Sequence, residues 1–387
     1  MTSTQVVVTG IGLLTALGQT AAVNWQKLTA GESAIALRQP FLDLPPMPLA
    51  MAEKSPLPLD VILQSVVEEA WLDASLDAEL VENCGVVIGS SRSHLREWEA
   101  MAVQQRGSGL RRDWLAALPN GPASRAAQLI GATGPVLAPM AACATGVWAI
   151  AQAADLIRGG QCQCVIAGAV ESPITPLTLA GFNKMGALAK TGCYPFDQAR
   201  EGFVLGEGGA VIVLESKTFA RQREADIYGE VLSAGITNDS HHVSAFEPGY
   251  RMGKRSVALC LERSRLRASD VDAVHTHGTS TFLNDRMEAA LITQKLSSQI
   301  LVMATKGATG HTLGASGAVN VALSLMSLKH QQVIPCTGLR HPDFELNFVG
   351  SVECDSDSFY KKSLKHILCS SFGFGGQNAV LALKSAG

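Results

Sequence analysis

Twice in this chain a turn of small residues opens an apolar run of helical length that ends on a short β-branched stretch. The first copy is Ala144-Thr145-Gly146, then Val147 to Ile157, then Val165-Ile166; the second is Ala315-Ser316-Gly317, then Ala318 to Leu325, then Val333-Ile334. Apolar runs of this length read as buried helices. A glycine cluster followed by a strand-like run also occurs twice, at Gly206 to Gly209 and at Gly373 to Gly376. The pattern predicts a duplicated βαβ unit whose two helices run through the middle of one molecule. Their two small-residue turns should then lie close together.

The rest of the chain is compatible with a large layered core. At 387 residues it can fill two half-size cores or one large one, and 47% apolar against 17% charged residues excludes disorder. A net charge of -3 argues against nucleic acid or an anionic membrane as the main partner. Nine cysteines are scattered without a framework, and Cys162-Gln163-Cys164 has poor spacing for zinc or for a redox pair, so no metal is expected. No apolar run reaches bilayer length, no membrane insertion is expected, and the start lacks the pattern of a secretion signal. A reducing cytoplasm is the expected compartment.

Cys143, in Ala141-Ala142-Cys143-Ala144-Thr145-Gly146, falls at a strand-to-helix turn with room around it. The positive end of the following helix favours thiolate, the nucleophilic form. Taken alone, the same residue reads rather as an inert core cysteine, since free Cys is among the most buried residue types. Two histidines weigh against that: His277 follows a β-run in Val274-His275-Thr276-His277-Gly278-Thr279-Ser280-Thr281, and His311 lies in Lys306-Gly307-Ala308-Thr309-Gly310-His311. Both sit at glycine turns of the kind that expose side chains at a site. His94, His330, His341 and His366 read as structural donors. Elsewhere, Gln5 to Gly10 and Cys84 to Ser90 read as buried strands and Leu63 to Leu72 as a helix, while Pro40 to Pro58, with six prolines, reads as a surface connection. The arginine-rich stretch from Arg92 to Arg125 reads as a solvated excursion covering a cleft, or as a docking surface for an acidic partner through Arg111 and Arg112. The glycines at 202–209 precede a strand, which excludes a dinucleotide loop.

Together, Cys143 in its Ala-Ala-Cys-Ala-Thr-Gly turn, His277 in His-Gly-Thr-Ser-Thr, Lys306 through His311, and Phe372-Gly373-Phe374-Gly375-Gly376 resemble the β-ketoacyl-[acyl carrier protein] synthases with two active-site histidines. The resemblance runs in order from Val6 to Gly376. It implies an α/β, thiolase-like fold, five-layered α-β-α-β-α, with a first half over residues 1–220 carrying the cysteine and a second over 221–387 carrying the histidines.

Carried over by that resemblance, Cys143 takes an acyl group from a carrier protein as a thioester, and His277 and His311 assist loss of carbon dioxide from a malonyl thioester. Backbone N–H groups of Cys143 and Phe374 would form the oxyanion hole, with Phe374 also gating the pocket. Lys306 would orient its neighbours, with Glu288 as its ion partner; Thr279 and Thr281 would hold the pantetheine arm; Arg200 would face the carrier protein. The implied partners are acyl and malonyl carriers and a second copy in a homodimer, or a heterodimer, with no cofactor. Departures from the family pattern fall at Ala141 and Gln377, where threonine is common, and at Asn320, where many members place the lysine's glutamate partner. The alternatives are a synthase dedicated to a specialised lipid or polyketide, and a non-catalytic chain-length subunit, against which Cys143 speaks.

Overall fold

A computed structural model describes residues 4–77, 83–104, 114–350 and 363–386. Its first half supplies strands β1 (Val6–Thr15), β2 (Ile35–Arg38), β3 (Met47–Ala50), β4 (Gly85–Gly89), β5 (Val136–Leu137), β6 (Cys164–Glu171), β7 (Leu205–Gly206) and β8 (Gly208–Ser216). Between them lie helices α1 (Ala21–Thr29), α2 (Leu59–Asp73), α3 (Leu95–Gln104), α4 (Gly121–Ile130), α5 (Thr145–Arg158), α6 (Pro176–Lys184) and α7 (Lys217–Gln222). The second half adds β9 (Gly229–Asn238), β10 (Ala273–His275), β11 (Leu301–Met303), β12 (Asn347–Phe348), β13 (His366–Gly373) and β14 (Gln377–Ser385). Its helices are α8 (Arg251–Ser264), α9 (Phe282–Lys295), α10 (Lys306–Thr309) and α11 (Ser316–His330).

Eleven strands form one hydrogen-bonded sheet in the order β12-β11-β10-β13-β14-β9-β1-β8-β6-β4-β5. The two halves meet where β1 pairs antiparallel with β9, Val6 opposite Val231 and Val8 opposite Gly229. Outward from that seam each half repeats one arrangement: its first strand (β1 or β9), its last (β8 or β14), then β6-β4-β5 or β13-β10-β11. The duplication expected from the sequence is visible in this topology.

Burial follows the side-chain pattern of each element. All ten residues of β1 are buried, as a strand without charged residues between two helical layers requires. Helix α2 buries Leu59, Ile62, Leu63, Val66, Val67 and Ala70, a single stripe at three- and four-residue spacing, and packs that stripe on β1 and β8. In α11 every residue from Ser316 to Leu328 is buried, and α5 is nearly as enclosed. A helix without a solvent face must have protein on all sides, and these two pack on each other and on strands of both halves. The layers are therefore α2 and α4, the first-half strands, α5 with α11, the second-half strands, and α8 with α9. The central helices cross at small residues: a Cβ on Gly146 would stand 2.3 Å from the backbone nitrogen of Ala318.

The proline-rich segment differs from the expectation of a surface connection. It contains β3, which pairs with β2 and β7 in a separate three-stranded sheet, and Leu49, Ala50 and Met51 are buried there. Proline at position 48 is tolerated because so short a strand needs few ladder bonds. Arg111 and Arg112 lie outside the described residues; the described flanks are α3 and a 3₁₀ turn at Trp114–Ala117, joined by Trp98 Nε1 donating to the Ala117 carbonyl at 2.9 Å. Among the described residues no helix is long and apolar enough to cross a membrane.

Candidate active site

Parallel pairing aligns the strand ends that carry the site. In β10, β11 and β13, His275 stands opposite both Met303 and Cys369, so the turns that follow leave the sheet at one level. Catalytic loops gather outside the carboxyl ends of such strands. His277 follows β10, Lys306 opens α10 just after β11, and His311 follows α10. Phe374 occupies the hairpin between β13 and β14, and Cys143 precedes α5. The ligand atoms of Cys143, His277 and His311 all lie within 4.8 Å of one another. These three line one cavity with Thr279, Thr281 and Phe374.

The cysteine turn is strained and braced. Ala142 has φ +47°, a left-handed conformation that a Cβ disfavours. Thr145 Oγ1 accepts from the Ala141 N–H at 2.9 Å and donates to the Ala142 carbonyl at 2.7 Å, and Ser371 Oγ donates to the Cys143 carbonyl at 2.8 Å. Cys143 is 9% exposed. Burial pushes its thiol up to about 11, opposed by the charges of Lys306 and Arg92 and by the backbone N–H of Phe374. The helix end was expected to favour thiolate; desolvation of the charged form is the larger effect, and the resting group is a thiol.

The β13–β14 hairpin that carries Phe374 packs against the cysteine turn because position 373 has no side chain. A Cβ on Gly373 would lie 2.7 Å from the Ala141 carbonyl oxygen and 3.0 Å from the Cys143 nitrogen, both backbone atoms that cannot move aside cheaply. Gly373→Ala is therefore expected to slow acylation of Cys143 by about 100-fold or more, since displacements near 1 Å have that effect in a positioned site. Mass analysis of the acylated cysteine peptide against time reads this out; acylation at the parental rate would show that the close approach is dispensable.

Both imidazoles are held neutral. Burial, and after it the Lys306 charge, keeps His277 and His311 well below the usual histidine range. The two rings stand edge to face with centroids 5.1 Å apart. His311 Nδ1 shares a 2.8 Å hydrogen bond with Ser316 Oγ, which leaves Nε2 as the nitrogen free for substrate. His277 Nδ1 is buried with no hydrogen-bond partner among the described residues. His275, also buried, is satisfied by Ser324 and Thr305 and belongs to the core.

Lys306 and Glu288 hold the His277 turn from different sides. Lys306 Nζ donates to the His277 carbonyl, while Glu288 accepts from the His277 N–H at 2.8 Å and the Gly278 N–H at 2.6 Å. The expected Lys306–Glu288 ion pair is absent among the described residues, because both groups are occupied by this backbone; Glu288 acts on the lysine through space. Burial lowers Lys306 to about 8. Asn320, at the position where a glutamate partner was anticipated, bonds instead to the Thr276 carbonyl and Thr305. Thr279 and Thr281 bond each other at 2.9 Å at the cavity wall, and Thr281 also caps α9.

Arg200 does not face a carrier protein. Its side chain is 5% exposed, donates to Asp343 at 2.7 Å and to the Asp197 carbonyl at 2.8 Å, and stacks over Phe282 and Phe344. Its charge is neutralised inside the fold, leaving little field for a partner. Two contributors had no sequence signal: Ser316, which orients His311, and Glu171. The Glu171 carboxylate accepts from Ser90, Ser91, Arg92 and Gly314, joining a first-half loop to the turn after His311.

Models of the β-ketoacyl synthase N-terminal and C-terminal domains match residues 58–220 and 228–340. The 3-oxoacyl-[acyl-carrier-protein] synthase 2 of Staphylococcus aureus (strain COL) is 31% identical over 414 aligned positions, covering 98% of this chain and 98% of that protein. A β-ketoacyl synthase structure from Burkholderia phymatum STM815 superposes with a TM-score of 0.87 at 24% identity, over 99% of this chain and 100% of its own. The ketosynthase of a type II polyketide synthase, solved with its acyl-carrier protein and bound to the hexaketide, gives a TM-score of 0.90 at 23% identity over 99% and 100%. These structures establish a thiolase-like fold. Family models matching well over half of the sequence, and a relative aligned along nearly its whole length, establish the kinship: this chain belongs to the β-ketoacyl synthase family.

Proposed function

We propose that the protein is a β-ketoacyl-[acyl carrier protein] synthase: an acyltransferase that joins an acyl group held on Cys143 to malonyl-[acyl carrier protein], extending a fatty acid or polyketide chain by two carbons. The observation that carries the reading is the convergence of one sulfur and two neutral imidazoles within 4.8 Å in a single cavity. In the first step Cys143 attacks an acyl-carrier thioester; the new C–S bond forms as the carrier's breaks, and the thiol proton passes through an imidazole to the departing carrier thiolate. The developing oxyanion is met by the Cys143 and Phe374 N–H groups. In the second step a malonyl carrier loses carbon dioxide, and its enolate oxygen accepts hydrogen bonds from His277 and His311. The enolate carbon then attacks the Cys143 thioester, forming the C–C bond and releasing the cysteine sulfur as thiolate, which takes up a proton from solvent.

Neutral imidazoles suit this work, because they donate to an enolate oxygen without a counter-charge that would also hold the malonyl carboxylate in its ground state. Lys306 and Glu288 serve as positioning residues by fixing the His277 turn, and Thr279 and Thr281 offer hydroxyls to a pantetheine arm. The halves 1–220 and 221–387 form one unit, a reading supported by the repeated strand order. We place the enzyme in the cytoplasm as a homodimer; the edge strand β5, with Val136 41% and Leu137 38% exposed, favours a second copy there. Incubation with malonyl- and acyl-carriers should give β-ketoacyl-carrier two carbons longer and carbon dioxide, measured by mass. Failure to form a ketoacyl product from any acyl chain would overturn the assignment.

A further inference from the structure

The side chains that converge on the cavity are also a set of metal ligands. Among the described residues, Cys143, His277 and His311 are the one group of three histidine, cysteine or carboxylate side chains whose donor atoms lie close enough to share an ion, all within 4.8 Å of one another. They come from three separate segments, so no cysteine or histidine spacing in the sequence announces them. A tetrahedral zinc ion with bonds of about 2.0 to 2.3 Å holds its ligands roughly 3.5 Å apart. Side-chain movements of about 1 Å close that gap.

The three ligands are held from behind. Ser316 Oγ bonds His311 Nδ1 at 2.8 Å and leaves Nε2 free, and a partner on the far ring nitrogen is how ligating histidines are oriented. Lys306 and Glu288 fix the backbone of the His277 turn, while Ser371 donates to the Cys143 carbonyl at 2.8 Å. Phe203, Leu313, Leu179 and Ile174 pack with Cys143 in one apolar cluster, a surrounding that strengthens any charge interaction inside it. The cavity, of about 280 Å³, has room for a water in a fourth position. The Lys306 charge is felt at both imidazoles and opposes a cation there. The thiolate formed on binding offsets it.

Building on the proposed condensation, we propose that Cys143, His277 and His311 form a zinc-binding site through which the free ion reversibly switches the enzyme off. One thiolate and two imidazoles select zinc over magnesium or calcium, which take oxygen ligands. Binding replaces waters of the hydrated ion by one sulfur and two nitrogens; the thiol proton passes to the buffer, a water keeps the fourth position, and no electron moves. A sulfur bound to zinc cannot attack a thioester, and ring nitrogens bound to zinc cannot donate to an enolate. Acyl transfer and decarboxylation therefore stop together. An acyl group on Cys143 excludes the ion in turn, because a thioester sulfur is a poor ligand, so zinc and acyl primer compete.

Cobalt(II), a spectroscopically visible stand-in for zinc, reads the site without any turnover. Added to the parent protein it should give a tetrahedral spectrum with a sulfur-to-cobalt charge-transfer band, which zinc should displace and a chelator remove. The band should vanish in Cys143→Ala, weaken in His277→Ala and His311→Ala, and persist when the exposed pair His241 and His242 is replaced by alanine. Ser316→Ala, which frees His311 Nδ1, should weaken binding by about tenfold. Alkylating Cys143 of the parent with iodoacetamide should also abolish the band, which decides the matter without a variant if one fails to fold. At free zinc about 100 times its Kd, Cys143 acylation by an acyl-[acyl carrier protein] should fall about 100-fold and recover on chelation. Absence of the sulfur band, a band retained after alkylation, a band lost with His241 and His242, or acylation unmoved by zinc would overturn this inference while leaving the condensation intact. Cobalt bound through the three side chains in a protein that makes no ketoacyl product with any primer would keep the metal site and overturn the condensation, and the switch with it.

Discussion

Replacing Cys143 by alanine is expected to abolish condensation, with a fall in ketoacyl product on the order of 10⁴-fold, because among the described residues no other thiol lines the cavity to carry the acyl chain. The remaining cysteines among the described residues are buried elsewhere in the fold. Cys143→Gln should behave differently. A glutamine amide fills much of the space of a thioester, and its oxygen can reach the Cys143 and Phe374 N–H groups that await the acyl carbonyl. That variant should still release carbon dioxide from malonyl-[acyl carrier protein], since the imidazoles and the lysine-braced turn are untouched. Gas release and product mass, measured separately on each variant, distinguish the two half-reactions. Full condensation by Cys143→Ala would remove the nucleophile assignment outright.

The parts of this site that could be read in the sequence are those written as local turns. Cys143, His277, Lys306, His311 and Phe374 each lie in a short segment whose glycines and small residues announce a sharp exit from a strand, and parallel register then brings those exits to one level. The duplicated helices were legible for a similar reason, because a run buried on every face has a composition that says so. Direction of side chains was not legible. The segment around Arg200 gives no sign that Phe282 and Asp343, 82 and 143 positions further on, will enclose its guanidinium. Nor does Pro40 to Pro58 disclose a strand, since its ladder partners are supplied by β2 and by a two-residue strand in the glycine segment. Arg92 read as one of several surface arginines, and only the packing of α6 puts an aromatic ring beneath it.

His277→Ala and His311→Ala should each lower malonyl decarboxylation by roughly 100- to 1000-fold, the usual effect of removing one preorganised donor from an oxyanion site. The measurement is carbon dioxide release in a Cys143→Gln background, where condensation cannot mask the step. Asparagine keeps an N–H that alanine lacks. His311→Asn should therefore recover part of the lost rate if the imidazole acts as a donor, and none if it acts as a base. Ser316→Ala removes the partner of His311 Nδ1 and of the Thr312 hydroxyl but leaves the imidazole itself, so it should be milder and should leave malonyl binding unchanged. The pH profile supplies an independent check. Both imidazoles are displaced well below the ordinary 6.5 by burial, and a lowered value means that protonation begins only in more acidic solution. Decarboxylation should thus stay level as pH falls through 6.5, where a histidine of ordinary affinity would already be half charged. A rate that halves near that midpoint in the parent and becomes level in His277→Asn would mean that a solvent-like imidazole governs the step, and that the buried, neutral pair does not.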